Sequence, residues 1–467
     1  MVSDSSHKTV TEPAKDIKVV READVVVVGG GPGGVGAALS AARNGARTVL
    51  VERYGHLGGM ASGGLVNIFP NLSDISGKQH IFGITQEIID RLAAKNAAFF
   101  PKKEDWGTTD RKIVDYYKNA NMGFFYIRKD PNMGGQERVL YTALVDPEIL
   151  KGELDIMMEE AGVDLFFHSW GTGPIMDGDT VKGVFFESKS GRQAIKAKVV
   201  IDSTGDGDIF VGAGAEFDNE LSRKYRSAWL AFAFWITNVD LKELYEFEKG
   251  QPEKHAEMMK EITDMRGCGH YFKGLLKNQE GIVWFHNFLV QDEPSDAMDF
   301  EELTKKNLEG RRKAMTTFEY YRKNVPGFEK SFIMLTAPQL GTQGGRRIAG
   351  EYTLKAEDME SDEIYDDTIV VLANNDNGDI SARHPTICVP YRCLVPARVN
   401  GLLVACRAFS STDEINHWFN IIPPCICYGQ AAGTAAALAV KEGIQPRNVD
   451  YAELKANLIA QGVNIPQ

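Results

Sequence analysis

Asp24-Val25-Val26-Val27-Val28-Gly29-Gly30-Gly31-Pro32-Gly33-Gly34 is the stretch on which the fold turns. Its unbroken apolar run is what a strand buried on both faces of a parallel sheet requires. The glycines come next, then an Ala-rich helical stretch, Val35 to Arg43, stopped by Asn44-Gly45. A second strand, Arg47 to Val51, ends at Glu52. Strand, turn, helix and strand fit in about 30 residues, the size of the half-unit that holds a dinucleotide. Gly29-x-Gly31-x-x-Gly34 supplies the glycine spacing in the right setting. Gly29 allows the tight turn and Gly31 lets a pyrophosphate approach the backbone. Gly34 lets helix and strand pack closely. Glu52 stands where a carboxylate accepts from adenosine ribose hydroxyls and repels a 2′-phosphate.

Further along, Asp146-Pro147-Glu148 starts a helix running to Glu160 and stopped by Gly162. Strands follow at Asp164–His168 and Val181–Glu187, with a hairpin signal at Ser190-Gly191. Lys198 to Asp202 reads as another buried strand, and Gly401 to Ala405 as the last one. Gly429 to Val440 reads as a helix of small residues, stopped near Gly443. Asn71 to Asn132 and Leu221 to about Ala382 are mixed and charged, with a helical pattern from Leu303 to Val325. The core is thus expected from three separated pieces of chain with two insertions.

The chain has 467 residues, with 52 Lys+Arg against 64 Asp+Glu, a formal net charge of −12. That balance argues against a general nucleic-acid or anionic-membrane binder, both of which need a cationic surface. No apolar run approaches the roughly 18 residues of a membrane span. Met1 to Asp24 is polar and lacks a secretory core. The cysteines are Cys268, Cys388, Cys393, Cys406, Cys425 and Cys427, mostly bunched late, unlike a disulfide scaffold. A cytoplasmic setting is expected. Cys388-x4-Cys393 and Cys425-x-Cys427 match neither iron–sulfur nor zinc spacing, so no metal is assigned.

After Glu52 comes Arg53-Tyr54-Gly55-His56-Leu57-Gly58-Gly59-Met60-Ala61-Ser62-Gly63-Gly64, a glycine-dense loop able to wrap a ligand larger than NAD. With this loop the chain resembles the two-dinucleotide-binding-fold FAD flavoproteins. More narrowly it resembles the bacterial and archaeal FAD-dependent oxidoreductases related to the flavoprotein subunits of fumarate reductase and heterodisulfide reductase. Ile201 to Asp208, Gly341 to Leu354 with Arg346-Arg347, Gly401 to Arg407, and Gly429-Gln430-Ala431 carry the rest of the likeness. The resemblance implies an α/β chain with a Rossmann-like FAD-binding domain from 23–70, 142–220 and 386–457. An α+β substrate or cap domain comes from 71–141 and 221–385, and 1–22 is a polar tail. It implies non-covalent FAD held by Gly29, Gly31, Pro32, Gly33, Gly34, Glu52, Arg53, Gly58, Gly59, Met60, Asp206, Arg407, Gly429, Gln430 and Ala431. The N-terminus of a helix at Gly429-Gln430 would face the flavin. Hydride would pass between flavin N5 and a C–H bond of a small organic substrate. An electron-transfer subunit in a larger complex and a non-catalytic flavin module are the other readings. A homo-oligomer or a redox partner protein is the expected assembly.

The chain departs from the family around the substrate. Gln343-Gly344-Gly345 replaces a common Arg-Glu-Ser triplet, Asp413 a histidine, Asn420 an arginine, and Cys406 a glycine. Asp413-Glu414-Ile415-Asn416-His417-Trp418-Phe419-Asn420 reads as a loop between the last strand and the last flavin helix. His417 is the first candidate for proton transfer there and Glu414 the second; a structural His417 is the alternative. Arg346 and Arg347 could bind a carboxylate; an ion pair with Glu351 is the alternative. His270, His286 and His384 are weaker candidates. His56 stands where a covalent flavin link is conceivable. Gly205-Asp206-Gly207 places Phe210 at the third glycine position, so no second nicotinamide cradle is expected.

Overall fold

A computed structural model describes residues 9–119, 123–130, 134–225, 228–273, 281–289, 296–376 and 379–466. The first eight residues of the polar tail lie outside it. The apolar run forms the buried half of β1, which spans Lys18–Val28 and so begins within the stretch read as tail. Its exposed first half is held by the ladder rather than by burial: Lys18 pairs with Gln193 and Glu22 with Lys196. Apolar content could not have shown that extension.

Helix α1 (Pro32–Arg43) and β2 (Thr48–Val51) complete the half-unit. The expected helix follows at Pro147–Ala161, with Asp146 accepting from Glu148 and Ile149 N–H and Gly162 left-handed at φ 73°. It leads into β3 (Asp164–Phe166). A meander follows: β4 (Trp170–Asp177), β5 (Thr180–Ser188) and β6 (Gly191–Asp202). The second insertion contributes β7 (Leu230–Thr237), β8 (Phe272–Lys273), β9 (Val283–Leu289), α2 (Phe300–Asn324), β10 (Phe332–Thr336) and β11 (Gly341–Thr342). The chain then returns to the core with β12 (Leu402–Val404), α3 (Asp413–Phe419) and α4 (Ile422–Glu442).

The main sheet runs β3-β2-β1-β6-β5-β4, with β12 also paired to β6. β6 does double duty. Its first half pairs antiparallel with β5, and its last three residues pair parallel with β12. The parallel centre therefore draws strands from three distant stretches, an α/β architecture. β8-β9-β7-β10, with β11 also on β7, forms a separate antiparallel sheet, which α2 covers on one face. The other face, with Trp235 and Trp284, packs toward Leu65 and Ile68 of the core domain.

α1 and α4 lie together on one face of the main sheet, backbone against backbone. A Cβ on Gly33 would fall 1.7 Å from Ala405 O, one on Gly36 2.2 Å from Ile426 O, and one on Gly429 2.0 Å from Gly33 O. α4 begins at Ile422, not near Gly429. Pro423 and Pro424 occupy its first turn, where proline loses no helical hydrogen bond. Gly429, Gln430 and Ala431 are therefore mid-helix and buried, and offer no free helix N-terminus. Among the described residues no single helix is long and apolar enough to cross a membrane. α3 and α4 reach that length only across a 100° bend.

Gly429→Ala is expected to lower the denaturant midpoint by about 1–3 kcal/mol of stability, the usual cost of overpacking. Equilibrium urea unfolding, with the slope unchanged, is the measurement.

Candidate functional site

The carboxyl ends of β1 and β6 and the amino end of α1 open into a cavity of about 1630 Å³ that extends to the cap sheet. Gly29 sits at φ +97°, where a Cβ would also strike Ser203 O at 2.4 Å. Gly34 cannot carry a Cβ either, since it would lie 1.7 Å from Gly29 O. Gly31 is different: nothing lies within 4 Å of its Cβ position, and it lines the cavity. α1 has no side-chain cap and no acid in its first turn, so its leading N–H groups are left for a ligand. These are the features a pyrophosphate cradle needs.

Glu52 is buried and lines the same cavity. It also anchors the turn: Gly30 N–H donates to Oε2 at 2.5 Å and Tyr54 N–H to Oε1 at 2.8 Å. A carboxylate has about four acceptor positions, which leaves capacity for ribose hydroxyls. Arg53 lies over the Tyr54 and Trp170 rings and lines the cavity, as do Gly59 and Met60. Gly58 does not; it is left-handed at φ 94° and shapes the loop. His56 is outside the lining and packs on Tyr54, with Nδ1 3.2 Å from Leu57 O.

On the other side of the turn, buried Asp202 accepts from Ile209 and Phe210 N–H and from Thr204. Burial still raises its pKa. Asp206 accepts from Arg407 Nη2, which also donates to Thr342 Oγ1 at 2.8 Å. Arg407 Nε is buried without a hydrogen-bond partner among the described residues. An unmet donor on a cavity-lining arginine is a place for a ligand acceptor. Arg346 donates to Asp206 O at 2.6 Å and to Asp208 at 2.9 Å. Burial, followed by Asp202 and Asp206, pushes Asp208 up to about 6. Neither arginine of the pair meets Glu351: Arg347 bonds Asp218, and Glu351 pairs with Arg447 at 3.1 Å.

The segment 413–420, expected as a loop, is the short helix α3 with its C-cap. Asp413 accepts from Ser222 N–H at 2.7 Å, and Glu414 hydrogen-bonds Tyr225. His417 lies between the Tyr225 and Trp418 rings. Neither Glu414 nor His417 belongs to the cavity lining; Asn420, at the end of the same helix, does. Asn420 Nδ2 donates to Gln343 O at 2.6 Å, so two of the family departures meet. The helix N-terminus that reaches the cavity is Ile421, Ile422 and Cys425, one to two turns before the expected Gly429.

Two histidines ranked low in the sequence line the cavity. His286 stacks on Trp284 at 5.1 Å, and burial lowers the pKa of His270. His384 faces Asp362 instead. Cys268, Cys406 and Cys425 also line it; burial pushes Cys406 up to about 12, so it is a neutral thiol. Among the described residues no group of three or more His, Cys, Asp or Glu could hold a metal ion.

Residues 24–458 match the family model described as "FAD dependent oxidoreductase". No curated protein matches the chain. The chain is similar in structure to a geranylgeranyl bacteriochlorophyll reductase-like protein from Thermoplasma acidophilum, with 16% identity, 94% of this chain and 83% of that one covered, and a TM-score of 0.43. It is similar to p-nitrophenol 4-monooxygenase PnpA from Pseudomonas putida, with 13% identity, 95% and 89% covered, and a TM-score of 0.45. It is also similar to L-amino acid deaminase from Proteus vulgaris, with 14% identity, 94% of each chain covered, and a TM-score of 0.43.

Gly31→Val is expected to leave the apoprotein folded, because its Cβ meets open space and its φ of −70° suits any residue. FAD content after purification should fall at least about 10-fold, since the branched side chain occupies the approach to the helix. Flavin absorbance per protein and an apoprotein melting curve check both halves.

Asp208 makes the apoprotein pH-dependent. Its folded value of about 6 exceeds the ordinary 3.8, so the folded state holds more protons between those values. Its stabilising contribution is complete below about pH 4 and is lost as pH rises through about 6. Asp208→Asn should raise the apoprotein Tm by about 1–3 °C at pH 8 and leave it unchanged near pH 4. Equal shifts at both pH values contradict this.

Proposed function

The chain belongs to the FAD-dependent oxidoreductase family, and on that premise we propose that it moves a hydride between flavin N5 and a C–H bond of a small organic substrate. The observation that carries the reading is the single cavity shared by the pyrophosphate cradle and the cap sheet. Bound FAD supplies the two-electron chemistry; the chain binds, orients and encloses. Gly31 and the first turn of α1 hold the pyrophosphate, and Glu52 the ribose. Arg407 Nε offers a donor to the ring system, and the amino end of α4 lines the same cavity, although Pro423 and Pro424 carry no N–H there and the Cys425 N–H donates to Ile421 O. A positive helix end there favours negative charge on the ligand. Within the family, the Ile201–Asp208 and Gly401–Arg407 motifs support kinship with the fumarate reductase and heterodisulfide reductase flavoproteins. We propose no covalent link: His56 is outside the cavity lining and packed on Tyr54.

Proton transfer is assigned to the substrate side of the cavity. His286 and His270 line it, whereas His417 and Glu414 stand outside the lining. Arg346 keeps its place at the cavity wall, although Asp206 and Asp208 already hold two of its donors. Gly205-Asp206-Gly207 runs into a short helix, Asp208–Gly212, with the Phe210 ring against Gly207. That arrangement leaves no room for a second pyrophosphate cradle and supports a substrate-driven rather than nicotinamide-driven enzyme. The electron donor or acceptor is proposed to be a separate small molecule or protein, in a cytoplasmic setting.

Mild denaturation should release intact FAD at about one per chain. Anaerobic stopped-flow mixing should show NADH and NADPH bleaching the flavin at least about 100-fold more slowly than the substrate does. His286→Ala should lower turnover about 10²–10⁴-fold with FAD retained, the usual cost of a lost acid or base. His417→Ala should lower it less than about 10-fold. The reverse order of the two variants would return the role to His417.

A further inference from the structure

The cap side of the cavity has a composition that points to a class of substrate. β9 alternates as a strand must, so Trp284, His286 and Phe288 share one face. Their rings touch in sequence: Trp284 stacks on His286 at 5.1 Å and 15°, and His286 meets Phe288 edge-on at 4.7 Å. Phe272 lies 5.1 Å from Trp284, and Phe125 5.0 Å from Phe272. All five rings line the cavity. Continuous aromatic walls of this kind bind flat rings by offset and edge contacts.

Two unmet polar groups lie on this strand, one of them in the wall. Trp284 is 1% exposed, yet its Nε1 has no hydrogen-bond partner among the described residues. Asn287 Nδ2, also buried and in the same condition, lies on the opposite face of β9, under α2. A buried N–H left unmet costs free energy until an acceptor arrives. The third feature is charge. Arg266, Arg311 and Lys313 line the cavity from the cap and make no ion pair among the described residues, whereas the one cap acid in the lining, Glu309, is held by Lys306 at 2.8 Å. Three such cations stand out in a chain of net charge −12, and a cleft of one sign raises the local concentration of the opposite ion.

We infer that the substrate is a planar aromatic acid, with its ring against the Trp284–His286–Phe288 wall, an oxygen on the Trp284 N–H, and its negative charge drawn in by the cap cations. The inference rests on the oxidoreductase reading of the same cavity. A neutral hydrophobe would leave the Trp284 N–H unmet and the cations unused. An aliphatic acid would leave the wall uncovered.

The test uses the FAD-loaded enzyme and three probes: benzoate, its saturated counterpart cyclohexanecarboxylate, and neutral benzyl alcohol. Each is titrated against the flavin absorption spectrum and by calorimetry. Benzoate should bind saturably and at least about 5-fold more tightly than either of the others. Trp284→Phe keeps a ring and removes the N–H; it should weaken benzoate about 10-fold with FAD content unchanged. Phe288→Leu, which keeps an apolar side chain, should weaken benzoate and leave cyclohexanecarboxylate unaltered. Equal affinity for benzoate and cyclohexanecarboxylate overturns the inference. So does loss of FAD from a folded Trp284→Phe protein, which assigns that N–H to the cofactor. If the enzyme holds FAD and is reduced by an aliphatic donor while benzoate has no effect, the inference fails and the oxidoreductase reading stands. A chain that retains no FAD overturns that reading itself.

Discussion

Backbone approaching backbone without side chains between is the constraint on which the core is built. Gly29 lets the end of β1 lie against Ser203 at the end of β6. Gly33 does the same for α1 against Ala405, and Gly36 and Gly429 for α1 against α4. Dense contact of this kind gains dispersion energy that larger residues would forfeit by holding the elements apart. It also fixes the cavity, because the turn after β1, the Ser203–Asp206 turn and the amino end of α4 are brought to one place by the same contacts.

The two sides of the cavity are made by different means. The cofactor side is backbone: exposed N–H groups, a glycine with open space in front of it, and a carboxylate already bonded to its own loop. The side proposed for the substrate is side chains on a separate antiparallel sheet, supplied by an insertion between β6 and β12. A scaffold that leaves the cofactor side to backbone is free to change its substrate by changing the insertion.

How much of this was legible depended on how local each signal was. The 24–52 unit could be read because turn, helix start and acid follow one another within a single supersecondary motif. The helix at Pro147 was marked by Asp146 and Gly162 at its two ends. The start of α4 is masked because Pro423-Pro424 looks like a break, whereas in the first helical turn proline is well tolerated. The 413–420 helix is short and polar, and its stability comes from Ser222, Tyr225 and Arg407, none of them sequence neighbours. The aromatic wall was the least legible. Trp284-Phe285-His286-Asn287-Phe288 reads as an ordinary buried strand, and only the packing of β7 and β9 under α2 decides which alternate residues face a ligand.

The distance along the chain between α1 and α4 has a consequence for how the protein is made. Their first residues are 390 positions apart (422 − 32 = 390). At about 5–20 residues per second, a ribosome needs roughly 20–80 s to cover that interval. Throughout it the small-residue face of α1 has no partner, and the edge of β6 that will take β12 stays open. A nascent chain in that state is an exposed sheet edge beside an uncovered helix, the condition in which chains stick to one another. The geometry that seals the core so closely is therefore also what makes the stretch from β12 through α4 decide how long the residues made before it stay open to such contacts.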